Sequence, residues 1–305
     1  MQVAFVYNLP MAKSGSKRWA WRIVRGGLLV YLGLMLVFSA LQAKLIFPGA
    51  LTQGQAHAVV PERAGTDLAR VDTAEGQVAI LFGESMGDEA VASGEDRASR
   101  PTVLFFYGNG MCMADAIDIS LDLRRLGNNV VLVDYPGYGM SAGEPSETGV
   151  YTAAGAAHDF AVRRKGVDRH KIVPIGWSLG AAAAIDVAAR EPVAGLVLLS
   201  PFTSMTDMAR RTMPLFPTSF ILKHRFENET KLAGVKCPIF IAHGVYDSII
   251  PASMSDRLAV VAGDRLRSNL RLDSDHNDLF EVGGDQLIQQ IDAFIQEAVA
   301  QPNTK

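Results

Sequence analysis

Five consecutive residues, Gly176-Trp177-Ser178-Leu179-Gly180, constrain this chain more than any other stretch. They follow a strand-like run, Lys171 to Ile175, and open onto a helix-forming one, Ala181 to Arg190. G-x-S-x-G between a strand and a helix drives the backbone through a sharp turn with the serine hydroxyl at its tip, the nucleophile elbow. Glycine is required on both sides, because a Cβ there would collide with the neighbouring strand or helix. The bare motif is frequent by chance. Framed in this way, with an acid and a base in the right order downstream, it is not.

In this arrangement the acid follows the serine and the histidine follows the acid. Of the six histidines, His276 fits. Asp247 precedes it, in a turn after the apolar strand Ile239-Phe240-Ile241-Ala242. His276 itself lies in the polar loop Ser274-Asp275-His276-Asn277-Asp278, after a short strand over Ser268 to Leu272. His243 has no acid at a strand end between Ser178 and itself, so it reads as a residue that packs or hydrogen-bonds at the turn before Asp247. A serine hydroxyl is a weak nucleophile until an imidazole can take its proton, and the imidazole needs a carboxylate to fix its tautomer. Ser178 is therefore expected as nucleophile, His276 as base and then acid, and Asp247 as the orienting carboxylate. Asp273, Asp275 and Asp278 are rival acids near the histidine, but read better as ordinary solvated loop carboxylates.

A second element of the same chemistry follows the apolar run Val103 to Phe106, in Tyr107-Gly108-Asn109-Gly110-Met111. Backbone N–H groups of this loop, together with that of Leu179, are placed to hold a developing oxyanion. Losing one such donor costs ~3 kcal/mol of transition-state stabilisation.

These segments, with Asp134-Tyr135-Pro136-Gly137-Tyr138-Gly139-Met140-Ser141, Ser200-Pro201-Phe202-Thr203-Ser204 and His243 to Pro251, resemble the α/β-hydrolase superfamily, within it the membrane-anchored, serine aminopeptidase-like branch with a small cap. The resemblance covers roughly residues 70 to 298. It implies an α/β fold with a mostly parallel eight-stranded sheet, a Ser178–Asp247–His276 triad, and oxyanion donors at Asn109 and Leu179. The family usually carries histidine where Tyr107 stands; donation there is by main chain, so the side chain is free to differ.

The N-terminus is the other strong feature. Residues 26 to 43 hold no charge, and as a helix they span ~27 Å, close to the hydrocarbon thickness of a bilayer. Lys13, Lys17, Arg18, Arg22 and Arg25 precede them, which favours a cytoplasmic N-terminus and a catalytic domain on the other side. A cleavable signal peptide is the alternative. Cleavage after Ala43 or Ala40 would put Leu41 or Phe38 where a small residue is wanted, which favours an uncleaved anchor. Met11 is a second candidate start. The expected organisation is a basic N-terminus over 1–25, a transmembrane signal anchor over 26–43, a Pro- and Gly-punctuated tether over 44–67, and a catalytic domain over 68–305.

Strands near 69–72, 77–82, 102–107, 129–134, 171–175, 195–199, 238–242 and 268–272 are expected. Most alternate with helices near 114–126, 148–164, 179–190 and 285–298. Near-continuous apolar strands between amphipathic helices mean a parallel sheet covered on both faces. Gly87 to Arg100 reads as a surface loop. About residues 201–237 interrupt the alternation and are expected to form a small cap. Six of the eleven methionines, Met111, Met113, Met140, Met205, Met208 and Met213, fall in loops or cap at the carboxyl edge of the sheet. They raise an acyl-chain pocket, although methionine fills irregular gaps anywhere. Arg210, Arg211, Lys223 and Arg225 read as a solvated face, with lipid headgroups or an anionic substrate as the sharper reading.

A net charge of -3 argues against nucleic acid as partner. No phosphate loop, dinucleotide fingerprint or Cys/His metal cluster appears, so no cofactor is expected. Cys112 and Cys237 lie at opposite ends of their strands, ~17 Å apart, beyond the ~7 Å a disulfide spans; two free thiols are expected. The sequence reads as a membrane-tethered serine hydrolase acting on small acyl substrates, carboxylic esters or thioesters, with a lipid-like acyl chain in view. An aminopeptidase would need an acidic subsite for a free amine, and none stands out. A catalytically silent hydrolase-fold binding protein is the remaining alternative.

Overall fold

The computed structural model describes residues 15–86 and 100–300. The Gly87 to Arg100 loop, apart from Arg100, and the Met1 and Met11 starts lie outside the described residues. The chain divides into two units, residues 1–42 and 43–305.

The first unit holds most of a helix, α1 (Gly15–Ile46). Its stretch Arg18–Ile46 is long and apolar enough to cross a membrane. Leu28, Leu29, Val30, Leu32, Leu34 and Leu36 are all exposed along it.

The second unit is built on eight strands: β1 (Thr66–Thr73), β2 (Gly76–Gly83), β3 (Thr102–Phe106), β4 (Asn129–Val133), β5 (Ile172–Trp177), β6 (Leu196–Leu199), β7 (Ile239–Gly244) and β8 (Leu266–Leu272). They form one sheet in the order β1-β2-β4-β3-β5-β6-β7-β8. β2 runs antiparallel to β1 and β4, and the other pairings are parallel. Every residue of β3, β4, β5, β6 and β7 is buried, as expected where helices cover both faces, whereas edge strands β1 and β8 are mixed.

Those helices are α2 (Ile117–Arg125), α3 (Glu147–Arg163), α4 (Leu179–Arg190), α5 (Met205–Thr212), α6 (Thr218–Ile221), α7 (Asn228–Leu232), α8 (Ala252–Ala262) and α9 (Leu279–Ala300). A Ser146 side chain capping α3 and a Ser204 side chain capping α5 fix where those two begin. α9 is broken at Gly284 (φ 48), so the expected start near residue 285 marks the kink and one more turn precedes it. Helix α8, between Asp247 and β8, was not expected from the sequence. Its run Ala252-Ser253-Met254-Ser255-Asp256 has too few large apolar residues for a clear helical stripe.

Strand order locates the site. The chain leaves β3 toward β4 on one side and leaves β5 toward β6 on the other, so the connections diverge between β3 and β5. A crevice at the carboxyl ends of the strands opens at such a switch point. The loops that border it are Tyr107 to Cys112 and the turn at Ser178.

The first part of the segment expected as a tether is folded onto this edge. Short 3-10 turns, Pro48–Thr52 and Ala56–Ala58, replace a linker, and Phe47, Gly49 and Ala58 are buried. Pro and Gly announce turns, but composition does not say whether turns dock, and here Phe47 packs edge-on against Phe226 (6.1 Å).

Candidate active site

Ser178 sits between β5 and α4 at φ 56, ψ −116, a conformation that L residues rarely adopt and that costs on the order of 1–3 kcal/mol. The surroundings hold it there. Its N–H donates to Leu199 O of β6 (2.9 Å). A Cβ at Gly176 would strike the backbone of Gly180 and Ala181, and one at Gly180 would strike the Phe106 carbonyl and lie 2.8 Å from Tyr107 O. The absence of both Cβ atoms lets α4 start hard against the end of β3. That contact brings the turn and the Tyr107-Gly108-Asn109 loop together: a Cβ on Gly108 would stand 3.5 Å from Ser178 Cβ.

His276 Nε2 lies 2.9 Å from Ser178 Oγ, and His276 Nδ1 lies 2.7 Å from Asp247 Oδ2. With the proton on Nδ1, the ring donates to the carboxylate and accepts from the serine hydroxyl. Ser178 and His276 are buried, and the Asp247 side chain is fully so. Three stitches hold the histidine's loop against the aspartate's: Val245 N–H to Leu272 O (2.8 Å), Tyr246 N–H to Ser274 O (3.0 Å), and Ser248 N–H to Asp275 Oδ1 (2.7 Å). Asp275 thus braces the two loops, accepting from Ser248 and from the His276 N–H, and it is Asp247 that meets the imidazole.

Asp247 has a fourfold set of donors. Oδ1 accepts from Ile249 N–H (3.0 Å) and Ile250 N–H (2.6 Å), while Oδ2 faces both His276 Nδ1 and His243 Nε2 (3.1 Å). Burial alone would push its carboxyl up. The bonds from His243 and His276, with the Ile250 N–H, outweigh it and hold the group well below the usual carboxylate range. His243 is fully buried, with Nδ1 against Ser255 Oγ and Nε2 also 2.8 Å from Ile250 O. The expectation of a hydrogen bond at the turn holds, but the contact with Asp247 was missed. The i, i+4 spacing across Gly244 was its one signal.

Tyr107 turns away from the serine. Its hydroxyl donates to Asp134 Oδ1 (2.8 Å), which also accepts from Met113 N–H (2.7 Å), while Oδ2 accepts from Met140 N–H (2.8 Å). A buried aspartate thereby ties the loops after β3 and β4 together. Burial pushes both the Asp134 carboxyl and the Tyr107 phenol up, the carboxyl partly restored by those N–H bonds.

Asn109 is fixed from both ends: its side-chain amide donates to Ile46 O (3.1 Å), and its carbonyl accepts from Gly49 N–H (2.8 Å) and Tyr138 OH (3.1 Å). Leu179 opens α4, where the first N–H groups have no carbonyl within the helix to bond. Trp177 walls the other side, its ring 6.4 Å from that of His276 and 5.2 Å from that of Phe280. Of the six methionines, Met113 is a core residue and the other five are half-buried. Arg225 is no free cation, since its guanidinium donates to Ser219 O (2.7 Å). Cys112 and Cys237 are unbridged and buried. Among the described residues no group of His, Cys, Asp and Glu has the make-up of a metal site.

The profile of the alpha/beta hydrolase family matches residues 105–283, more than half the chain. The chain belongs to the alpha/beta hydrolase family. The uncharacterised protein Rv2307c of Mycobacterium tuberculosis (strain ATCC 25618 / H37Rv) is 33% identical over 264 residues, covering 87% of this chain and 90% of that protein. The alpha/beta hydrolase domain-containing protein aho-3 of Caenorhabditis elegans is 36% identical over 155 residues, covering 50% of this chain and 45% of its own. Among solved structures, the Pyrococcus furiosus esterase Pf2001 superposes with a TM-score of 0.62 at 17% identity, covering 79% of this chain and 98% of that one; at that identity the likeness is one of fold. Membership of the family supports hydrolase activity.

Proposed function

We propose that this alpha/beta hydrolase is a membrane-anchored serine hydrolase that cleaves carboxylic ester or thioester bonds through an acyl-enzyme. The observation that carries the reading is the hydrogen-bonded line from Ser178 Oγ through His276 to Asp247, at 2.9 and 2.7 Å. His276 takes the hydroxyl proton as Ser178 Oγ attacks the carbonyl carbon. Asp247, held ionised by its donors, stabilises the imidazolium. The N–H groups of Asn109 and Leu179 receive the oxyanion, each worth ~3 kcal/mol. The imidazolium then protonates the leaving alcohol or thiol. Water, deprotonated by the same ring, releases the acid. No step needs a cofactor.

Helix α1 serves as the anchor. Arg18, Arg22 and Arg25 at its start favour a cytoplasmic N-terminus, with the hydrolase unit on the opposite side.

The test is a fluorophosphonate probe on the full chain in detergent, with peptide mapping of the adduct. A single adduct on Ser178, lost in Ser178→Ala and reduced about a thousandfold in rate in His276→Ala, is expected. A folded protein that takes no adduct would overturn the hydrolase reading in favour of a silent binding module.

A further inference from the structure

The hydrolase unit holds a cavity of about 410 Å³ that has no part in the candidate active site. It lies between residues 59–66, the end of β2 and one face of α2, and none of Ser178, Asp247 and His276 lines it. Small-molecule sites run from about 300 to 1,000 Å³, so the space is large enough to hold a ligand.

Ile117, Ser120, Leu121 and Arg124 line it from α2. Their i, i+3, i+4 and i+7 spacing puts all four on one side of the helix. Val60 and Leu81, both buried, extend the apolar part of the wall. Two polar side chains interrupt it, and both are more than nine-tenths buried: Ser120 is 4% exposed and Arg124 5%. Among the described residues the Ser120 hydroxyl has no hydrogen-bond partner. A polar group buried in this way costs free energy unless something meets it.

The guanidinium of Arg124 is half used. Nε–H donates to Glu84 O (2.7 Å) and Nη2–H to Gly65 O (3.1 Å). Its remaining N–H donors have no partner among the described residues. A Cβ at Gly83 would stand 2.7 Å from Arg124 Cδ and Nε, so the side chain is laid against bare backbone and kept in one place. Burial pulls its pKa down, offset in part by the nearby Glu84. Backbone carbonyls bring partial charge only, and a buried cation without a bonded carboxylate is left with a cost that an anion would offset. The other charged residues of the lining, Arg63 and Asp118, are exposed, opposite in sign and screened by water. The buried charge of the cavity is therefore positive.

We infer that this cavity binds a monocarboxylate with an apolar tail of about six to ten carbons, a medium-chain fatty acid or an acid of similar shape. The carboxylate takes the free N–H donors of Arg124 and accepts from the Ser120 hydroxyl. The tail lies along Ile117, Leu121, Val60 and Leu81, removing apolar surface from water. A small inorganic anion would leave that wall wet, and a neutral amphiphile would leave the guanidinium unpaired. No bond is made or broken, and the site stands whether or not Ser178 is activated, because it shares no residue with the Ser178–His276–Asp247 line.

The experiment uses the full chain in detergent with an octanoic acid that carries a mid-chain diazirine, photolysed and located by peptide mapping. Cross-links are expected in the peptides that hold residues 59–66 and 117–124. Octanoate should compete with an apparent Kd of about 0.1–1 mM, and 1-octanol at least about tenfold less well. Ser120→Ala, which breaks no bond within the protein, should weaken octanoate about three- to tenfold. Leu121→Trp, which fills the cavity, should remove these cross-links, and octanoate should raise the Tm of the parent chain but not of this variant. Should Leu121→Trp fail to fold, the parent chain and Ser120→Ala still decide the matter. Cross-links absent from both segments, or confined to peptides around Ser178 and His276, would overturn the inference. So would octanol competing as well as octanoate.

Discussion

At the scale of single residues, the site depends on side chains that carry out no step themselves. His243 is the clearest. It shares Asp247 Oδ2 with His276 and is fixed in turn by Ser255 and the Ile250 carbonyl. A carboxylate with one of its four donors removed is less firmly held and gains proton affinity. His243→Phe should therefore lower kcat about 10–100-fold on a soluble ester with KM little changed. His243→Gln, which keeps an N–H donor, should recover part of the loss. A folded His243→Phe protein with kcat within about twofold of the parent would remove the positioning role. The linkage at Asp247 has a definite sign. Its folded pKa is depressed, so the stability it contributes is present above the unfolded value of about 3.9 and is lost as pH falls through the lower folded value. Near-neutral activity is untouched by that titration. That Ser178, Asp247 and His276 would come together was legible in the sequence, because the turn motif and their chain order point to that contact. His243 was not, because its role rests on a distance across the turn.

At the scale of elements, the strap over residues 46–54 helps to hold the Asn109 loop, through the bonds at Ile46 O and Gly49 N–H. Gly49 is its tightest point: a Cβ there would meet the Tyr138 ring, and would stand 2.7 Å from Asn109 O and 2.8 Å from Met111 O. Gly49→Ala must push the strap outward or the Asn109 loop inward. It should lower stability by about 1–3 kcal/mol and kcat about tenfold, read by thermal melting and soluble-ester kinetics. An unchanged kcat would show the loop to be set by Asp134 and Tyr107 alone. The sheet's strands and principal helices were legible because their periodicity is local. Helix α8 was missed because its packing against β7 and β8, more than its composition, makes it a helix.

At the scale of the whole molecule, the hydrolase unit buries both cysteines. Burial pushes the Cys112 thiol up to about 11 and the Cys237 thiol up to about 12. Neither should react with a thiol reagent at pH 8 in the native protein, and both should react in denaturant. Rapid native labelling would show that the unit opens locally. The same scale marks the limit of reading from sequence. By itself the chain determined the class of fold and the chemistry available to it. The elbow needs glycines at fixed offsets, acid and base follow in order, and apolar runs of strand length alternate with helices; all of these are written in neighbouring residues. Only the tertiary structure decided that the supposed tether is a strap and that Asn109 holds Ile46, 63 positions away. Those contacts join residues whose local sequence prefers nothing about one another, and the energy that selects them appears only when the sheet, cap and strap pack together.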